Sequence, residues 1–407
     1  MSVPTMQVLV GFQTTTGFGN PFQLDNAVYG LLDTGTLGGL AFADLTSLVQ
    51  SVNINRGRSR QLDQFNAGTA TISFNNSTRI LDPNNTASIY YPFVLPRCPV
   101  IIKANGITIY AGLITDWNLN YDIAGDDMMY ASCADVFTVL ANQALNAFTP
   151  DAELSSVRVK KILVRPEIAF QGATAISTGT SVLGAYNITQ DTNVLNYLQQ
   201  VATSEQGFLF VSADGTLTFK GRSSVLNPVS GATFDDTTGL PMQTLENQYG
   251  DELLYNYVAV QSPAVGSAIT TSDAASIALY QAQQLSQLDL LNSSVPELTA
   301  LGNYLLGKFK DPTLRFTNVS TQLTALSTAN QNICLTLDLT SICTVTKSFS
   351  TGSPASVTQT LIVSGVSHNI TPASHIVSYT FESTDGNQYL SLDNAIFGTL
   401  DNNLLSF

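Results

Sequence analysis

Residues 68–75 read Gly-Thr-Ala-Thr-Ile-Ser-Phe-Asn, with Ala70, Ile72 and Phe74 at alternate positions and Thr69, Thr71, Ser73 and Asn75 between them. Successive side chains of a strand point to opposite faces, so this stretch predicts a strand with one buried side. Thirty residues on, Asn105-Gly106 separates PVIIKA from ITIYAGLIT. A two-residue turn with positive φ at both centres suits Asn-Gly best, which predicts a tight hairpin there. Further period-two runs at 6–13, 48–55, 113–121 and 128–133 make residues 1–133 a β domain, a small barrel or sandwich, with the Gly-rich stretch 30–40 as a loop.

The pattern changes at Asp135. Val136, Val139, Leu140, Ala144 and Leu145 form a helical stripe with Asp135 at its N-terminal end and Pro150 as a stop. A second helix is predicted at 152–164. A third runs from Asp191 to Gln206, capped by Asp191 or Thr192, with Val194, Leu198 and Val201 on one face and Gly207 at the left-handed C-terminal position. FLFV at 208–211 and LTFK at 217–220 follow, joined through Asp214-Gly215, so residues 134–230 read as a small α/β module.

Residues 231–407 return to strands, beginning at 253–261, and carry a helical insertion at about 273–310. Within it Ser294 and Glu297 make a capping box, Pro296 sits in the tolerant first turn, and Leu298, Leu301, Leu305 and Phe309 form the apolar face. A terminal hairpin pairs 359–370 with 376–382. The expected fold class is therefore mainly β with α+β. No short-period repeat of the solenoid kind occurs, although the two β regions could be structural copies of one another.

A chain of 407 residues exceeds one ordinary core, which agrees with two or three domains. Charged residues are only 11%, and 30 acidic against 16 basic residues give a net charge of −14. Such a balance attracts no polyanion, so a conventional nucleic-acid reader is not expected. No run reaches the ~20 apolar residues of a membrane span, and the start lacks the pattern of a signal peptide. Cys98, Cys133, Cys334 and Cys343 fall in no metal or redox spacing and are expected to be small buried side chains on strands.

The catalytic inventory is thin. His368 and His375 would lie on opposite faces if one strand held both, and neither has a ligand partner at zinc spacing. The carboxylate pairs Asp126-Asp127, Asp235-Asp236 and Asp251-Glu252 fall in predicted turns, where a solvated role outweighs glycoside chemistry. Gly17-Phe18-Gly19 lacks the third glycine and the following helix of a dinucleotide loop. No enzyme, cofactor or metal site is expected. The one dense basic cluster is Arg56, Arg58 and Arg60, alternate residues of an extended segment that would point to one side. In so acidic a chain, a partner's carboxylates or an internal ion pair, with Asp63 at hand, is favoured over nucleic acid.

The segment that carries this cluster, from Arg56 to Ala104, resembles the N-terminal domain of minor tail and baseplate hub proteins of long-tailed bacteriophages. Arg56-Gly57-Arg58, Phe65-Asn66-Ala67-Gly68-Thr69-Ala70, Asp82-Pro83-Asn84 and Tyr90-Tyr91 match that family in order and spacing. Asn75-Asn76-Ser77-Thr78-Arg79 stands where the family usually has a charged Asn-Arg-Asp turn. The helix-hairpin stretch with Gly207, Asp214, Gly215 and Arg222 is similar to a later family module, and so is the stretch from Tyr255-Asn256-Tyr257-Val258 to the terminal hairpin.

The resemblance implies a structural virion protein, assembled in the host cytoplasm and located at the tail tip. It implies two tube-type β barrels per chain flanking the α/β module, and a homotrimer that adapts a six-fold tail tube to three-fold tip components. Implied partners are the tail tube or distal tail protein, a tip or spike protein and the tape-measure protein, with DNA only in passage through a channel. A cell-wall hydrolase at the tail tip and a peripheral carbohydrate-binding module are the alternative readings.

Overall fold

The computed structural model describes residues 2–13, 40–123, 125–225 and 230–384. The Gly17-Phe18-Gly19 triplet and residues 30–39 of the predicted loop lie outside them. The N-terminal region holds β1 (Met6–Gln13), β2 (Leu40–Asp44), β3 (Val49–Gly57), β4 (Asn66–Asn75), β5 (Pro99–Ala104), β6 (Ile107–Asn120) and β7 (Met128–Ala134). They pair antiparallel in the order β3-β4-β7-β6-β5-β1-β2.

The alternation that defined β4 is kept. Ala70, Ile72 and Phe74 are buried and Thr69, Thr71 and Asn75 are exposed. Asn105 and Gly106 both have positive φ, 50° and 80°, as the β5–β6 turn requires. The run at 113–121 is the second half of β6 rather than a new strand. Its register against β7 shifts between Ile114 and Asp116, and the extra residue resets the alternation, so one bent strand reads as two.

The middle of the chain holds α1 (Phe137–Ala141), β8 (Ala144–Leu145), β9 (Glu153–Leu154), α2 (Ser155–Leu163), β10 (Thr174–Ile176), β11 (Val182–Leu183), β12 (Thr192–Asn193), α3 (Val194–Glu205), β13 (Phe208–Val211) and β14 (Leu217–Lys220). The first predicted helix is shorter than its stripe. It ends at Ala141, and Ala144 and Leu145 instead pair with β12, which buries Leu145 by a ladder rather than a turn of helix. The cap of α3 is Asn193, which accepts from the Asn196 N–H at 3.0 Å, so the helix starts one or two residues later than a cap at Thr192 or Asp191 would set it. Its left-handed C-terminal residue is Gln206 (φ 53°), one before the predicted glycine. Gly207 is needed for another reason: a Cβ there would lie 2.4 Å from the Lys220 carbonyl oxygen.

The last part holds β15 (Ala232–Asp235), β16 (Thr244–Gln248), β17 (Tyr257–Val260), β18 (Ile269–Ser272), α4 (Ala274–Tyr280), β19 (Gln284–Gln287), α5 (Val295–Phe309), β20 (Arg315–Gln322), α6 (Thr328–Thr336), β21 (Ile342–Ser348), β22 (Ser356–Thr371) and β23 (Ser374–Ser383). The stretch read as a helical insertion carries β19 between its helices. With β18-β17-β19 it makes a small α/β unit with its own core of Val258, Val260, Leu298, Leu301, Leu305 and Phe309. Its capping box does not close. Ser294 caps by backbone position alone, while Glu297 accepts from the Val182 and Ser293 N–H groups and so ties α5 to the α/β module.

Helix α6 is an addition to the predicted elements. Its sequence TANQNICLT buries only Gln331, Cys334 and Leu335, too thin a stripe to be read. Cys334 is therefore on a helix and Cys98 in the loop before β5, whereas Cys133 and Cys343 are on strands; all four are free and buried.

Among the described residues one strand ladder joins the two β regions. β22 pairs antiparallel with β3 from Gly365↔Gly57 to Ile370↔Val52, so strands from both ends of the chain form one 13-stranded sheet among the described residues. A single large core runs under it and into the α/β module. No helix among the described residues is long and apolar enough to cross a membrane.

Candidate functional site

The arginine cluster lies where β3 ends against β22. Gly57 sits opposite Gly365 with φ 105°, and a Cβ on it would come within 2.2 Å of the Ser364 carbonyl oxygen. Only a residue without a side chain lets the two backbones approach this closely. The Arg58 N–H donates to that carbonyl at 2.9 Å, and there the chain leaves the ladder. The positive φ also interrupts the alternation on which a common face for the three arginines depended. They reach three different surroundings.

Arg56 is 7% exposed. Its Nη1 donates to Asp338 Oδ1 at 2.7 Å, while Asp338 Oδ2 accepts from the Ala213 N–H of the β13–β14 turn at 2.7 Å. One carboxylate thereby links β3, the α/β module and the loop before β21. Arg58 places Nη2 at 2.6 and 2.9 Å from the two oxygens of buried Glu382 at the end of β23, and Nη1 on the Asp63 carbonyl at 2.8 Å. Its guanidinium lies over the rings of Phe65 and Phe208, 4.6 and 5.5 Å from their centroids. The Gln64 and Gln199 side chains complete the link, to Thr203 on α3 and to the Phe65 carbonyl. Arg60 is half exposed, 3.6 Å from Asp63 and 3.4 Å from Glu252.

The cluster thus joins the end of β3 to the C-terminal strands, the α/β module and the loop before β17. The Asp63 carboxylate takes part only through its half-exposed pair with Arg60. The stronger partners, Asp338 and Glu382, are 282 and 324 positions away and carry no local signal that could have singled them out. Buried pairs of this kind orient elements more than they add stability, since desolvation offsets most of the attraction.

The remaining titratable groups are held in place rather than poised. His368 and His375 are on adjacent strands, not on opposite faces of one, and meet across the β22–β23 hairpin with Nδ1 and Nε2 3.0 Å apart. Burial lowers both pKa values, that of His375 to about 4, so the pair is neutral near pH 7. Glu205 is fully buried, and no ion pair to it occurs among the described residues. Burial raises its pKa, but donation from the Thr180 and Ser181 N–H groups and the Ser155 and Thr180 hydroxyls outweighs this and holds it below the ordinary carboxylate range.

Burial pushes Asp135 up to about 6, although it accepts from the Gly68 and Phe137 N–H groups. The Cys133, Cys334 and Cys343 thiols rise to about 12 for the same reason, which removes thiolate chemistry at neutral pH. Among the acidic pairs, Thr237 hydrogen bonds lower Asp235, Lys347 lowers Asp236, and Gln248 with Arg60 lowers Glu252. Asp127 accepts from the Asp122 N–H, and Asp126 and Asp251 are exposed. Among the described residues no three His, Cys, Asp or Glu side chains are grouped to hold a metal.

No protein-family model matches this sequence, and no curated protein does. Solved structures do. A tail protein from Neisseria meningitidis superposes with a TM-score of 0.60 at 12% identity, covering 93% of this chain and 96% of its own. A 43 kDa prophage tail protein from Shewanella oneidensis gives 0.55 at 11% identity, over 85% of this chain and 96% of its own. The fold is that of phage tail proteins. A prophage tail protein from Listeria monocytogenes, with a TM-score of 0.50 at 9% identity over 93% and 95% of the two chains, is similar as well. The likeness in fold to these tail proteins extends over most of the chain, well beyond Arg56 to Ala104.

Proposed function

We propose that this chain is a structural protein of a bacteriophage virion, a homotrimeric hub at the tail tip that forms part of the DNA conduit. In this reading residues 1–133 and 231–407 are two tube-type β barrels flanking the 134–230 module. Three chains then imitate a six-fold tube ring on one side and present three-fold symmetry on the other. The tail tube or distal tail protein is the partner above; a spike or tip protein and the tape-measure protein are the partners below. The chain acts in the virion after assembly in the host cytoplasm, and it catalyses no reaction.

The observation that carries this reading is the β3–β22 ladder. It joins two β regions from opposite ends of the chain edge to edge, in a fold shared with tail proteins over 96% of their length. The sheet has edge strands at β2, β16 and, on a branch through β21, β15, whose outer edges lack a ladder partner among the described residues, and a closed ring of copies would satisfy such edges. A net charge of −14 suits a conduit that must pass DNA without holding it.

Native mass measurement of the purified chain and its copy number around the tail axis test the proposal. Three copies are expected, and six would argue for a tube or distal tail protein. A peptidoglycan zymogram of the wild type and of Asp126, Asp127, Asp235 and Asp236 variants should show no clearing. Activity abolished by one of these changes would replace the structural reading with a hydrolase.

A further inference from the structure

A cleft of about 700 Å³ lies between β16, the start of β20, the end of β23 and the loop after Arg58, with Arg60 at its margin. Arg315, the first residue of β20, lines it and is only 8% exposed. Its guanidinium has no hydrogen bond or ion pair among the described residues. Glu252 attracts it, but that carboxylate is engaged by Arg60 and Gln248, and burial disfavours the Arg315 charge more than Glu252 restores it. Glu382, also on the wall, is taken by Arg58. A largely buried arginine whose fork holds no anion among the described residues is an unfilled half of a bidentate pair.

The other walls narrow the chemistry of the missing half. Glu246 also lines the cleft and would repel a dianion such as phosphate more than a single carboxylate. Leu245, Leu253 and Phe381 offer apolar surface beside the charge. Gln61 is 8% exposed, and its Oε1 is buried without a partner, an acceptor suited to an amide N–H. We propose that this cleft binds a monocarboxylate on a short apolar stem, its carboxylate seated on Arg315. That chemistry has two sources, a free aliphatic acid or the C-terminal residue of a polypeptide. The inference is independent of the tail-tip assignment.

Isothermal titration of the full chain with hexanoate, N-acetyl-leucine, hexanamide and inorganic phosphate tests it. Saturable binding is expected for the two carboxylates and not for hexanamide or phosphate. Arg315→Gln should weaken carboxylate binding by about tenfold or more, the usual loss of a charged hydrogen-bond partner. Glu246→Gln, on an exposed strand, should strengthen it by about threefold and serves as the readout if the arginine variant does not fold. Tighter binding of N-acetyl-leucine identifies a polypeptide terminus as the source, and tighter binding of hexanoate a free acid; both outcomes support the site. Absence of saturable carboxylate binding, equal binding of hexanamide, or indifference to both substitutions would overturn it and leave Arg315 a hydrated side chain.

Discussion

Arg58 and Glu382, 324 positions apart in sequence, meet at 2.6 Å with side chains only 11% and 2% exposed. The pair closes the seam between the N-terminal strands and the terminal hairpin, and its geometry predicts asymmetric responses to mutation. Arg58→Ala strands a buried carboxylate and should cost about 3–5 kcal/mol in urea unfolding, whereas Arg58→Met with Glu382→Leu should recover most of it. A double variant as unstable as the single would show that the pair itself supplies the stability.

Gly57 and Gly106 separate two roles of glycine. Both have positive φ, but a Cβ on Gly57 would strike the Ser364 carbonyl and Gly365, while one on Gly106 meets nothing within 4 Å. Gly106→Ala should therefore cost only the ~1–2 kcal/mol of left-handed backbone. Gly57→Ala should cost well beyond that and raise hydrogen exchange in β3 and β22 together. Equal costs for the two would count against the close approach at the seam.

The histidine pair makes stability depend on acid. Both folded pKa values are depressed from the ordinary 6.5, that of His375 to about 4, so between those values the unfolded chain binds protons that the folded one refuses. Stability must fall with pH in that window, by about 1.4 kcal/mol per unit for each histidine fully in this regime. Asp135 opposes it: its pKa is raised from 3.8 to about 6, so the folded chain binds the extra proton there and gains as pH falls. Unfolding from pH 7 to 4 should show a net loss that is steeper in Asp135→Asn and reduced in His368→Leu with His375→Leu. A flat profile in the wild type would contradict burial of the pair.

Glu205 presents an acceptor to two N–H groups and two hydroxyls. Glu205→Gln points an NH₂ at these donors and should destabilise the chain by about 3 kcal/mol, read as a lowered urea midpoint. Because the Glu205 pKa is depressed, the stability it contributes is present above its ordinary value of 4.5 and lost as pH falls below it. The variant's deficit should therefore shrink in acid.

Much of the fold was legible because it rests on local rules. Alternation at Ala70, Ile72 and Phe74, positive φ at Asn105-Gly106, and the face of Leu298, Leu301, Leu305 and Phe309 are each written within a few residues, and each is kept. The readings that changed share one cause. Gly207 has the composition of a helix terminator and Ser294-Glu297 that of a capping box, but Lys220 and Val182, distant along the chain, set what those residues do. Helix α6 was missed because only Gln331, Cys334 and Leu335 are buried, too few to make a readable stripe.

The candidate site divides the same way. Three closely spaced arginines around a glycine stand out as a local pattern, and the mainly β class followed from periodicity. Which carboxylates those arginines meet, that β3 joins β22 in one sheet, and that His368 faces His375 across a hairpin were settled only when the chain folded. Periodicity and turn chemistry act over a handful of residues, whereas ion pairs and ladders between distant segments depend on how the whole chain is packed, and no stretch of sequence encodes that alone.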